Sequence, residues 1–148
     1  KASVSFQKAS SVEIQIWKIW IEHRNPRAQS LMFLGIGAMN NQQLGKALAH
    51  FNQLTEIEPE FAEGWNKRAT VLYLMGRFNE AEEDILITLK LEPKHFGALS
   101  GQGMIRMALK DWSGAITALE AGLRIHPHMP GVIRNLEYVR KKQKESMT

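Results

Sequence analysis

The chain has 148 residues, 44% of them apolar, and a formal net charge of +4, which suffices for one domain-sized core and gives no compositional sign of disorder. It contains no cysteine, which excludes disulfides, a thiolate nucleophile and thiolate metal sites while leaving the redox compartment open. No run approaches about 18 uninterrupted apolar residues, so no membrane-spanning helix is expected, and no signal-peptide pattern is read in these residues.

Residues 1–9 lack periodicity and read as a flexible lead-in. Residues 10–26, SSVEIQIWKIWIEHRNP, read as a helix that starts at serine caps and ends at Asn25 and Pro26. Ile14, Trp17 and Ile21, with Ile16 and Trp20, give it a broad apolar face. That face either packs on the next segment of the chain or serves a partner, or a second copy of the chain. From residue 28 onward the apolar spacing of three and four residues predicts paired amphipathic helices. In the middle of the chain the first helix is expected over Phe61 to Met75, a turn at Gly76 and Arg77, and the second helix over Phe78 to Leu91. Pro130 stands where a last helix begins, and Ile133, Leu136 and Val139 are expected to cover the preceding pair. Residues 130–148 carry Arg134, Arg140, Lys141, Lys142 and Lys144 against Glu137 and Glu145, whereas residues 56–63 hold four glutamates and no base.

Pro59, Pro93 and Pro127 stand 34 residues apart, each just after an amphipathic run. Proline lacks the amide hydrogen a helix interior needs and drives its predecessor toward extended geometry, so each marks a stop. Other positions keep the same register. Ala47, Ala81 and Ala115 are one series. Phe51, Ile85 and Leu119 are bulky, as are Leu31, Trp65, Leu99 and Ile133, and Leu44, Phe78 and Trp112; Gly35, Ala69 and Gly103 are small. One period therefore organises residues 28–127.

These residues resemble the tetratricopeptide repeat, a 34-residue helix-turn-helix unit with Trp, Leu, Gly, Tyr, Ala, Phe, Ala and Pro at set positions. Three units match, 28–61, 62–95 and 96–129, between the helix at 10–26, a degenerate half repeat, and a capping helix with a basic tail at 130–148. The departures are Arg68 and Gln102 at the leucine position, Ala38 and Arg106 at the tyrosine position, and Gly122 near the end of the third unit. The resemblance implies an all-α fold, a right-handed superhelical stack of repeats (an α-solenoid) with about eight helices. The wording AEGWNKRATVLYLMG with LEPKHFGALSGQG is also similar to short bacterial repeat proteins, many of them exported, which favours a periplasmic location over a cytoplasmic one.

No constellation supports catalysis. His23, His50, His95, His126 and His128 are scattered, so no metal site is expected. Glu80 and Asp84 of EAEED fall on one helix face and read as solvating it rather than as a general acid and base. No GxSxG or SxxK arrangement sets a hydroxyl beside a base. No cofactor is implied, and no aromatic-rich or paired-helix motif accompanies the basic end, so no nucleic acid is expected.

Function is therefore expected from the concave groove that the resemblance implies, lined by the first helix of each unit. Its groove positions fall on Gln29, Met32, Ile36, Met39 and Asn40, then Glu63, Asn66, Thr70, Tyr73 and Leu74, then Gly97, Ser100, Met104, Met107 and Ala108. The last helix adds Arg134, Tyr138, Lys141 and Lys142. This reads as a methionine-rich channel with a polar centre at Asn66 and Tyr73 and a basic exit, suited to a peptide or helical segment of another protein. Chaperone-binding relatives hold a terminal carboxylate with a Lys and Asn clamp. Met32 and Ile36 occupy the clamp-like sites of the first unit, which disfavours that ligand. The alternative is an assembly element that self-associates, or docks to an envelope complex, through its tryptophan-bearing amino-terminal helix.

Overall fold

The computed structural model describes residues 25–148, which form seven α-helices and, among these residues, no strand. They are α1 (Pro26–Asn40), α2 (Leu44–Ile57), α3 (Ala62–Leu74), α4 (Phe78–Leu91), α5 (Phe96–Ala108), α6 (Trp112–Ile125) and α7 (Pro130–Ser146). The helix expected at residues 10–26 lies outside the described residues, apart from Asn25 and Pro26. Asn25 caps α1, its Oδ1 accepting from the Arg27 amide at 2.9 Å, and Pro26 sits in the first turn, where its missing amide hydrogen costs nothing. His95 Nδ1 accepts from the Ala98 amide to cap α5, and Asp111 Oδ1 accepts from the Gly114 amide to cap α6, each at 3.0 Å.

Each helical pair turns through one residue with positive φ. These are Gln42 at 61°, Gly76 at 77° and Lys110 at 61°, again 34 residues apart. Only the middle one is glycine, the residue that enters this region without steric cost.

The chain divides into two compact units, the first ending at Pro93 and the second running from Lys94 to Thr148. In the first, α1 packs on α2, α2 on α3 and α3 on α4, and α1 also touches α3. Its core gathers Ala28, Leu31, Met32, Ala47, Phe51, Leu54, Phe61 and Val71. Gly35 is small because Phe51 lies where its Cβ would stand. At the start of α3 the Trp65 indole donates to the Pro59 carbonyl at 2.8 Å, tying the helix to its joint.

In the second unit α5 packs on α6, α6 on α7, and α5 touches α7. Phe96, Ala115, Leu119, Met129, Val132, Leu136 and Val139 make its core. A Cβ on Gly103 would meet Leu119 Cδ2 at 2.5 Å, the same small-against-large pairing as Gly35 with Phe51. The Phe96 ring meets His126 edge-on with centroids 4.6 Å apart. α7 is further held to α6 by an ion pair from Arg140 to Glu120 at 2.7 Å and a hydrogen bond from Gln143 to Ser113 at 3.0 Å.

The repeated positions keep their expected character. Ala47, Ala81 and Ala115 are wholly buried, as are Phe51, Ile85 and Leu119. One expectation for the last helix is corrected: Ile133 is exposed, and Val132 takes the inward place with Leu136 and Val139. Positions 132, 136 and 139 form one i, i+4, i+7 stripe, and 133 lies a residue off it.

Candidate functional site

The expected groove residues fall into four stripes, each spaced i, i+4, i+7 and each offset by the 34-residue period. They are Met32, Ile36 and Met39 on α1; Asn66, Thr70 and Tyr73 on α3; Ser100, Met104 and Met107 on α5; and Arg134, Tyr138 and Lys141 on α7. The α1 and α3 stripes belong to the first unit and the α5 and α7 stripes to the second.

In the first unit most of this surface is already engaged. Met32 is 0% exposed and is a core residue, which corrects its expected place in a groove. Ile36 and Met39 are half-buried against the same core, and Asn40 is exposed at the end of α1. The Asn66 amide donates to Glu63 Oε1 at 3.1 Å, and Glu63 also lies 3.9 Å from the Lys67 ammonium. Thr70 is exposed but turns its hydroxyl back to the Asn66 carbonyl, and Tyr73 is half-buried against Phe78, with ring centroids 5.5 Å apart.

The second unit presents more. Met104 is 38% exposed and Tyr138 48% exposed. Ser100 is half-buried, and Met107 is half-buried against the core. On α7, Arg140 is paired with Glu120, and Lys142 lies 3.5 Å from Glu145 and 5.7 Å above the Tyr138 ring. Arg134 and Lys141 are exposed and, among the described residues, have no ionic or hydrogen-bonded partner. The shared period gives the α5 and α7 stripes the same helical position on two helices in contact. The two helices thus expose a methionine, a tyrosine and two cations that have no partner among the described residues.

A second polar cluster, in the first unit, was not anticipated. Arg68 grips Asp84 with two parallel bonds, Nε to Oδ2 at 2.8 Å and Nη2 to Oδ1 at 2.9 Å, and its Nη1 donates to Asn52 Oδ1 at 3.2 Å. The guanidinium also lies 4.9 Å from the centre of the Trp65 ring. Hydrogen bonding to Asp84 raises the Arg68 pKa above its usual value, against burial, which lowers it. Asp84 is only 3% exposed, so the expectation that it solvates its helix is corrected. Beside the pair opens a cleft of about 280 Å³ lined by Leu48, Asn52, Arg68, Leu72, Arg77, Glu80, Glu83 and Asp84. Arg77 is held on both nitrogens by Glu80, at 2.8 and 2.7 Å. That contact raises the Arg77 pKa and holds the Glu80 carboxyl below the usual range. Arg68 is bound to Asp84 on the neighbouring helix, whereas Arg77 faces Glu80 in an exposed pair along the same turn. The one sequence signal for the cluster was Arg68 at a position where leucine is usual.

Among the described residues no helix is long and apolar enough to cross a membrane. Helical hairpins of fixed period, small residues facing large ones and a proline at each joint define an all-α hairpin-repeat protein.

No family model matches the chain. A TPR repeat-containing protein of Rhizobium etli is 33% identical to it over 112 residues, 71% of this chain and 55% of that protein; the chain thus spans about half the length of that relative. The Sgt2 TPR domain from Aspergillus fumigatus has a TM-score of 0.78 at 27% identity, covering 82% of each chain. The first TPR of Spaghetti (RPAP3), bound to the HSP90 peptide SRMEEVD, also has a TM-score of 0.78, at 19% identity, covering 80% of this chain and 94% of that one. The chain belongs to the tetratricopeptide repeat family.

Proposed function

We propose that the chain is a non-enzymatic interaction scaffold that binds a segment of another protein on the α5–α7 face of its second unit. The observation that carries this reading is the co-occurrence of exposed Met104 and Tyr138 with the unpartnered Arg134 and Lys141. An exposed methionine adapts to irregular apolar side chains, and the tyrosine adds a flat ring with a hydroxyl. The two cations select for negative charge next to the apolar anchor. A partner segment then carries one or two apolar residues and, after them, aspartate, glutamate or a free carboxylate. The RPAP3 domain, which shares this fold, binds a peptide in which two glutamates come directly after methionine. Any acidic ligand here must be read by a different set of groups from the Lys and Asn clamp, because Met32 and Ile36 are engaged with the core of the first unit.

Selection of a random twelve-residue display library on the immobilised chain tests the reading. The expected consensus is an apolar anchor with acidic residues after it, and it disappears on the Met104→Ala/Tyr138→Ala variant. A consensus of basic residues, or one unchanged by that variant, would contradict it.

A further inference from the structure

The 34-residue period makes α3 a template for α1. Leu34 of α1 stands at the register of Arg68, and Gly37 at that of Val71. On α3 this side is covered by α2, the helix that precedes it in the chain. Arg68 reaches Asn52 on α2, and Val71 is 0% exposed in a core shared with Phe51 and Leu54. On α1 the same side is open. Leu34 is 54% exposed with Phe33 beside it, and a Cβ on Gly37 would meet nothing within 4 Å among the described residues. A second observation lies behind it on α2. His50 stands at the register of Asp84, and its buried Nδ1 has no hydrogen-bond partner among the described residues, where Asp84 has Arg68. An apolar side chain in water, an empty place where valine stands in the next repeat and a buried nitrogen without a partner mark a face that lacks its cover.

We propose that this face is the seat of the chain's own residues 12–24, VEIQIWKIWIEHR. Three features favour this occupant over any other. The segment ends one residue before the Asn25 cap that starts α1, as α2 ends just before the joint that starts α3. Its Ile14, Trp17 and Ile21 recur at helical spacing, and its indoles are large where Gly37 is small. The contacts of Arg68 with Asn52 and Thr55, moved back by one period, place Lys18 and Ile21 opposite Leu34. The tryptophans then complete the first repeat, and the inference is independent of what the α5–α7 face binds.

The absence of cysteine allows a direct test on the full chain. Ile21→Cys/Leu34→Cys is treated with a short bismaleimide across a tenfold range of concentration. The control is Glu22→Cys/Leu34→Cys, with almost the same chain separation but the next residue's direction. The expected result is a cross-link within one chain, independent of concentration and several-fold more abundant than in the control. Adding Gly37→Lys, a change at an exposed position that improves helix propensity, should lower that yield several-fold and raise iodide quenching of tryptophan emission while helicity by circular dichroism holds. Equal yields in the two pairs would overturn the proposal. So would adducts of two chains that grow with concentration, which would assign the face to a second copy.

Discussion

The middle and third repeats share a backbone plan and differ in what fills it. In the first unit, α3 and α4 are joined by the Arg68–Asp84 pair. One period later, in the second unit, the same two positions hold Gln102 and Ala118, both buried. The helices keep nearly the same lengths in both places. The repeat therefore prescribes spacing and size, and leaves polarity to whichever partner stands across the helix pair. The surfaces differ in the same way. Asn66 and Thr70 of the α3 stripe spend their polar groups within the protein, whereas Arg134 and Lys141 of α7 have no partner among the described residues.

The largest effect is expected from breaking the pair. Asp84→Ala leaves Arg68 partly buried without its carboxylate. Loss of one partner from a fully buried pair costs about 3–5 kcal/mol; because Arg68 keeps some solvent access, about 2–3 kcal/mol is expected here. Arg68→Gln/Asp84→Ala, which imports the third repeat's residues, should recover most of that loss. Urea midpoints for both variants check the pair, and equal midpoints for Asp84→Ala and the parent would refute it.

The next effect sharpens the size rule. The middle repeat carries Ala69 where the third carries Gly103, yet Gly103→Ala should destabilise by about 1–2 kcal/mol despite its better helix propensity, because the new methyl meets Leu119. A thermal melt that rises instead would show that Leu119 moves aside freely.

Third is the turn. Lys110→Gly gives the last pair the residue that the middle pair has at Gly76. Relief of its positive φ should stabilise by about 0.5–1 kcal/mol, and Gly76→Ala should cost a similar amount. Paired denaturation curves check both signs.

The smallest effect is the pH dependence at the exposed Arg77–Glu80 contact. Because the folded state holds the Glu80 pKa below its ordinary value, the contact stabilises above the ordinary carboxylate range and is lost as pH falls through the folded value. The difference between parent and Glu80→Gln should therefore be present at neutral pH and vanish in acid, as midpoints at the two extremes will show.

Much of this was legible in the sequence, for reasons that separate along the same line. The second helix of the middle repeat, Phe78–Leu91, was readable to the residue because Pro93, Gly76 and the apolar period act locally along the chain. The buried alanines were readable because close helix approach recurs every period. The Arg68–Asp84 pair was not, since a charge reads as exposed until the residue across from it is known. Met32 was assigned to a groove by its position in the repeat, but local packing drew it into the core. Ile133 and Val132 are equally apolar neighbours, but only Val132 continues the i, i+4, i+7 stripe of Leu136 and Val139, a periodicity the sequence already carried.

The central claim is that the α5–α7 face binds through both an apolar anchor and free charge. Titration calorimetry of the library-selected peptide against the parent, Met104→Ala/Tyr138→Ala and Arg134→Ala/Lys141→Ala, at low and at physiological salt, tests it most directly. Truncating the anchors should weaken binding at either salt by about 1–2 kcal/mol for each half-buried contact. Removing the charges should weaken it mainly at low salt, because exposed charges are screened beyond about 8 Å at physiological ionic strength. Parent-like affinity in both variants, with helicity intact, would contradict the claim and move the binding site off this face.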